Sequence, residues 1–215
     1  MSDQALRSEL IRVGKQMEAM NLNRGASGNI SVRFGEGMLV SPSGLGVGGL
    51  TLEDIVFVDA AGRPHGARAP SSEWLFHRDI LEAHPEFGAV VHTHSVAATA
   101  LACLRKEIPA IHYMILMAGG DNIPCTDYAT FGTQALSDLA VAALKDRKAC
   151  LLANHGVIAA GKTLEEAARL AGEVEMLATL YLQALQIGEP VLLTREELQA
   201  AKQQFEALRY GEQSR

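Results

Sequence analysis

The sequence predicts a three-layer α/β protein in which helices pack on a mixed central sheet. Three observations lead there. Segments with helical periodicity are long and span the chain, short alternating β-type runs lie between them, and clean βαβ repetition, which a purely parallel sheet would need, is missing. In order, Gln4 to Met20 places Leu6, Leu10, Val13, Met17 and Met20 on one face of an amphipathic helix, stopped by the turn-rich Asn21 to Gly25. Ile30 to Phe34, Met38 to Val40 and Ile55 to Val58 alternate between Gly, Pro or Asp boundaries and read as strands. Pro70 and Pro85 frame a helix from about Ser71 to Glu82. Gly88 to His94 is a β-type run that leads into an Ala-rich helix ending near Leu104. Gly132 to Lys145 reads as a helix, and Ala149 to Ala160 as a strand pair broken at Asn154-His155-Gly156. Thr163 to Glu166 has capping-box spacing and starts a long helix that Gly188 and Pro190 end; a second box, Thr194 to Glu197, opens a last helix to about Leu208.

No repeat or linker divides the 215 residues, so residues 1–215 are expected to form one domain. Hydrophobic residues make up 48% and charged residues 20%, a globular balance; aromatics at 5% predict an aliphatic core. The formal net charge is -6 and no basic run stands out, which argues against a nucleic-acid partner and for a small diffusible substrate. Cys103, Cys125 and Cys150 form no CxxC pair and are expected to be small buried hydrophobes in a reduced cytoplasm. Met1 to Lys15 carries no signal-peptide core. The longest uncharged stretch, Phe87 to Leu104, has His92, Thr93, His94 and Ser95 at its centre, so no membrane span is expected.

His92-Thr93-His94 is the sharpest chemical feature. Side chains at i and i+2 of a strand share a face, so two imidazoles on the end of an apolar strand aim at one point and supply half of a tetrahedral zinc site. His155, after the apolar run Ala149 to Ala153 and before Gly156, is placed to add a third ligand and leave a position for a substrate oxygen. The alternative is a pair of hydrogen-bonded histidines at a strand end. His65, His77, His84 and His112 are expected on loops or helix surfaces. Metal hydrolases also use HxH, but their commonest pattern continues with Asp-His, whereas Ser95-Val96 follows here. Gly28-Asn29, Ser41-Pro42-Ser43-Gly44 and Ser71-Ser72 offer N–H groups and hydroxyls; each could be a turn or cap, or together with a metal a phosphate seat. Glu73 could be a surface carboxylate, a fourth ligand or a general base, and Tyr113 a core tyrosine or a phenol of the site.

With these segments assembled, the sequence resembles the zinc-dependent class II aldolase/adducin family, and most of all its L-fuculose 1-phosphate aldolase branch. The matching stretches are Gly28 to Ser31, Ser41 to Gly44, Pro70 to Trp74, Val90 to His94, Ile108 to Met114, Ile123 to Cys125, Tyr128 to Gly132 and Asn154 to Gly156. The resemblance implies a mixed, largely antiparallel sheet with helices on both faces. It implies one zinc ion per subunit on His92, His94, His155 and Glu73, and a phosphate seat of Gly28, Asn29, Ser43, Gly44, Ser71 and Ser72. It also implies a homotetramer whose active sites lie between subunits, with Tyr113 reaching across from a neighbour.

The activity implied is reversible cleavage of a ketose 1-phosphate, such as L-fuculose 1-phosphate, into dihydroxyacetone phosphate and a small aldehyde such as L-lactaldehyde. Tyr113 would take the hydroxyl proton and Glu73 return a proton to carbon, with the metal as Lewis acid. Phe131 and, in a tail expected to be mobile from about residue 209, Tyr210 would contact the aldehyde. Ser41 and Ser43 stand where close relatives often carry threonine, Asn154 where they can carry histidine, and the resemblance fades beyond Pro190. Ribulose-phosphate 4-epimerases, a methylthioribulose-phosphate dehydratase and sugar-acid phosphate decarboxylases share the fold, and the adducin head uses it for binding without catalysis.

Overall fold

The computed structural model describes residues 2–46 and 49–208. Tyr210 and the tail expected from about residue 209 lie outside the described residues. The chain begins with α1 (Asp3–Ala19), whose first turn is capped by Ser2: its hydroxyl accepts the Ala5 N–H. Leu6, Leu10, Val13 and Met17 form the buried stripe the periodicity predicts, but Met20, past the last helical residue, is largely exposed. Strands β1 (Asn29–Phe34), β2 (Gly37–Val40), β3 (Val56–Val58) and β4 (Pro64–His65) follow as a meander. β4 is too short to show an alternation and is not legible in the sequence.

Helix α2 (Trp74–Ala83) begins three residues later than expected, with Glu73 as its N-cap. The Ser71 N–H is committed to Ser41 O, which fastens the chain to the neighbouring loop before the helix starts. Then come β5 (Ala89–Thr93), α3 (Val96–Cys103), a six-residue 3-10 helix at Tyr113–Ala118 that periodicity does not reveal, and α4 (Gln134–Ala143). The hairpin of β6 (Ala149–Leu152) and β7 (Gly156–Gly161) precedes the long α5 (Leu164–Ile187) and α6 (Arg195–Leu208).

The seven strands form one sheet in the order β4-β3-β2-β1-β5-β7-β6, and every pair is antiparallel. Among the described residues, parallel pairing occurs only as an isolated bridge between Cys125 and Leu151. Strand side chains alternate between two cores. Ala89 and Val91 of β5 and Val157 and Ala159 of β7 face the core of α1, α3 and α5; Val90, Ile158 and Ala160 face the core of α2 and α4. Three layers result, with helices on both faces. The cores are aliphatic as the composition predicts. The cysteines depart from expectation: only Cys150 is buried, Cys125 is half-buried and Cys103 exposed, because Cys103 ends α3 at the surface; all are free thiols. Among the described residues, no helix is long and apolar enough to cross a membrane.

Candidate metal centre

β5 and β7 are hydrogen-bonded neighbours, so the end of β5 and the turn before β7 meet at one edge. His92 is the penultimate residue of β5, His94 follows the strand, and His155 sits in the β6–β7 turn behind Asn154, whose φ of 55° gives the chain its left-handed bend. Gly156 allows the contact: a Cβ there would lie 2.4 Å from Thr93 O and 3.1 Å from a His92 ring carbon. Glu73 enters from the start of α2.

Among the described residues, Glu73, His92, His94 and His155 form a group whose candidate ligand atoms all lie within 4.8 Å of one another. His92 Nε2 is 2.9 Å from His94 Nε2 and 3.4 Å from Glu73 Oε2, and His155 Nε2 is 3.0 Å from Glu73 Oε1. Donors at 2.0–2.1 Å from a tetrahedral ion are roughly 3.3 Å apart, so the set has the size of a metal site. Its protonation fits as well. His92 Nδ1 donates to Val157 O at 2.8 Å, which leaves a lone pair on Nε2 pointing into the cluster beside Glu73. Burial holds His92 neutral, its pKa pushed down to about 3, and also lowers that of His94. Burial pushes the Glu73 carboxyl upward, but His92, His155 and the Asn29 amide outweigh it, and Glu73 is anionic. Two buried lone pairs and a carboxylate aimed at one point are repulsive unless a cation joins them.

The three segments expected to seat a phosphate lie side by side next to this cluster. Ile30 N–H donates to Ser41 Oγ, Ser71 N–H to Ser41 O, and Ser43 N–H to Ala69 O. Ser43, Gly44 and Ser72 are exposed, whereas Ser71 is buried with its hydroxyl accepting the Glu73 N–H. Gly28 and Gly44 both have left-handed φ, and a Cβ on Gly28 would strike the Asn23 side chain at 2.3 Å. Asn29 is buried, and its amide donates to Glu73 Oε2 at 2.9 Å. A cleft of about 260 Å³ opens over Glu73, His94 and His155, bounded by Ser72, Tyr128, Ala129, Phe131 and Asn154. Phe131 therefore joins the site. Tyr113 does not line that cleft; it is exposed and packs on His112 and Phe205 of α6.

One residue of this region corrects the sequence-based expectation. His77, expected on a helix surface, is fully buried between Asn29 and Ser31. The signal is present in the sequence: His77 lies three and four residues before Ile80 and Leu81, on the buried stripe of α2.

A three-layer α/β fold with a histidine–carboxylate cluster at a strand end has the form that the resemblance to the class II aldolases implies. The pattern described as Class II Aldolase and Adducin N-terminal domain matches residues 8–182, and the chain belongs to this family. It is 52% identical over 208 residues to a 5-methylthioribulose-1-phosphate/5-deoxyribulose-1-phosphate aldolase of Rhodospirillum rubrum, covering 97% of this chain and 93% of that one. It is 46% identical to an L-fuculose phosphate aldolase of Escherichia coli K12, covering 98% of each chain, so the likeness extends past Pro190, where the motifs fade. A solved L-fuculose 1-phosphate aldolase superposes with a TM-score of 0.91 at 38% identity, over 96% of this chain and 98% of that one. The class II aldolases of this family are lyases, and these relatives are sugar-phosphate aldolases.

Proposed function

We propose that the protein is a zinc-dependent aldolase that reversibly cleaves a ketose 1-phosphate to dihydroxyacetone phosphate and a small aldehyde, working in the cytoplasm as a homotetramer. The observation that carries this reading is the convergence of His92, His94, His155 and Glu73 beside the loops 41–44 and 70–73. Three imidazoles and one carboxylate suit zinc, and the ion would supply Lewis-acid stabilisation of negative charge developing on the ketose oxygens.

The chain's own groups do the rest. The exposed Ser43, Gly44 and Ser72, with Ser71, Asn29 and Gly28, hold the phosphate and so orient the sugar. Tyr113, presented to solvent by the 3-10 helix, serves the active site of a neighbouring subunit and accepts the C4 hydroxyl proton as the C3–C4 bond breaks. Glu73, beside the cluster and ionised at rest, would take up one proton from solvent and pass it to C3, while the proton that Tyr113 takes from the C4 hydroxyl returns to solvent; in the reverse direction the Glu73 carboxylate removes the C3 proton.

The aldehyde end lies along Phe131, Tyr128 and Ala129, with Tyr210 as a further contact. An apolar wall suits a sugar ending in a methyl or methylthio group, as in L-fuculose 1-phosphate and in the methylthioribulose and deoxyribulose phosphates that the relatives' names give. The 52% relative supports the latter pair as strongly as L-fuculose 1-phosphate itself. The test is a cleavage assay over these three sugar phosphates, detecting dihydroxyacetone phosphate with and without chelator. Chelator-sensitive release from at least one of them is expected. Absence of release from all three by zinc-loaded protein would overturn the reading.

A further inference from the structure

The groups behind Glu73 form a continuous buried chain. Asn29 pairs with His92 across β1 and β5, and Asn29 and Ser31, two apart on β1, point to the same face, where α2 brings His77 and Glu73. Asn29 Nδ2 lies 2.9 Å from Glu73 Oε2, His77 Nε2 meets Asn29 Oδ1, and His77 Nδ1 lies 2.7 Å from Ser31 Oγ. Asn29, Ser31 and His77 are all buried, so none can exchange these partners for water.

The direction of every hydrogen in this chain follows from its end. The Asn29 amide nitrogen donates to Glu73 Oε2, so the amide oxygen is the atom that faces His77. An amide oxygen also only accepts, so His77 must carry its proton on Nε2. Burial keeps His77 neutral, with its pKa pushed down to about 3, so a second proton on Nδ1 is excluded and Ser31 O–H donates there. The opposite tautomer would set a lone pair against the Asn29 oxygen. Turning the amide to relieve that clash would aim the oxygen at the Glu73 carboxylate instead.

We propose that His77 is a positioning residue: held in one tautomer by Ser31, it locks the Asn29 amide in the single orientation that anchors Glu73 at the metal cluster. His77 touches neither substrate nor ion and acts only through Asn29. The proposal rests on the reading of Glu73 as the carboxylate that serves the reaction, but its structural half is testable without turnover.

Two measurements test it. In metal-free wild-type protein, nitrogen NMR of the His77 ring should show a protonated Nε2 and a bare Nδ1; a proton on Nδ1 overturns the proposal whatever the enzyme's substrate. The second is a double-mutant cycle on the zinc-loaded enzyme with His77→Phe, Asn29→Ala and the pair, scored on kcat and KM separately. His77→Phe should lower kcat roughly 10–100-fold, the range for partners that orient metal ligands, with any change in KM no larger than that of Asn29→Ala, since Asn29 also belongs to the proposed phosphate seat. Added to Asn29→Ala it should lower kcat by less than about twofold more. Independent, multiplicative effects would show that His77 does not act through Asn29. Should His77→Phe fail to fold, Ser31→Ala takes its place in the cycle: a non-multiplicative loss with Asn29→Ala supports the proposal, and a multiplicative one overturns it. If Glu73→Gln is fully active while the NMR result holds, the assignment of Glu73 fails and the hydrogen-bond chain stands.

Discussion

The two halves of the site are built differently. The metal half is buried: His92 lies inside β5, Glu73 is fixed by Asn29, and His92 Nδ1 is tied to the backbone of β7. The open half has Ser43, Gly44, Ser72, Tyr128 and Phe131 on exposed loops, and Tyr113 is exposed outside its own chain's cleft. A metal needs fixed donors, and one rigid sheet provides them. A substrate must enter and leave, and the groups proposed to recognise it sit on exposed loops, where backbone can move. Chemistry and selectivity should therefore fail separately under mutation.

The largest effect is expected from the buried half. His92→Ala leaves two imidazoles and should reduce the metal content of the purified protein from about one ion per chain to nearly none, with turnover falling about 10³-fold or more. Elemental analysis with the aldolase assay checks both; a variant that keeps its ion would contradict the donor set. Glu73→Gln should cost roughly 10²–10⁴-fold in kcat while a phosphate-bearing product analogue binds with nearly unchanged affinity, measured by calorimetry. Joint loss of both would mean that the halves are not separable.

The buried histidines also set a pH dependence. His77 has a folded pKa of about 3 against an ordinary value of 6.5, so between those values the unfolded chain binds a proton that the folded chain refuses, and stability rises with pH. For metal-free protein, this residue alone should lower unfolding free energy by about 2 kcal/mol between pH 7 and pH 5. Urea titrations at the two pH values measure it, and equal midpoints would contradict the burial of a neutral ring. The smallest effect belongs to the open half: Phe131→Ala should keep a full complement of metal and lose roughly tenfold in kcat/KM, with a changed ranking of aldehydes in the condensation direction.

This division also decides what the sequence discloses. The metal half is legible in part: His92 and His94, two apart on an apolar run, share a face, whereas His155, at the end of another run, and Glu73 join them only through the resemblance to the family, because the pairing of β5 with β7 is not a local pattern. The long helices, the hairpin and both cores follow from local stripes such as Leu6, Leu10, Val13 and Met17. The burial of His77 is legible in its spacing to Ile80 and Leu81, but its partners are not: Asn29 and Ser31 reach it only through the packing of α2 on β1, which no local pattern encodes. The start of α2 is misplaced for a related reason: Ser71 is held by Ser41, a contact between distant segments. Tyr113 can be named but not located in the site, because its own chain leaves it outside the cleft.

The placement of His155 in the turn before the last strand has a consequence for biosynthesis. As the chain leaves the ribosome, β5 emerges when three of the four candidate donors, Glu73, His92 and His94, have been made. The third imidazole is translated much later and is brought alongside only when β7 zips onto β5. The four-donor set is therefore complete only once the sheet has closed, and a truncated product lacking the final hairpin would be one donor short.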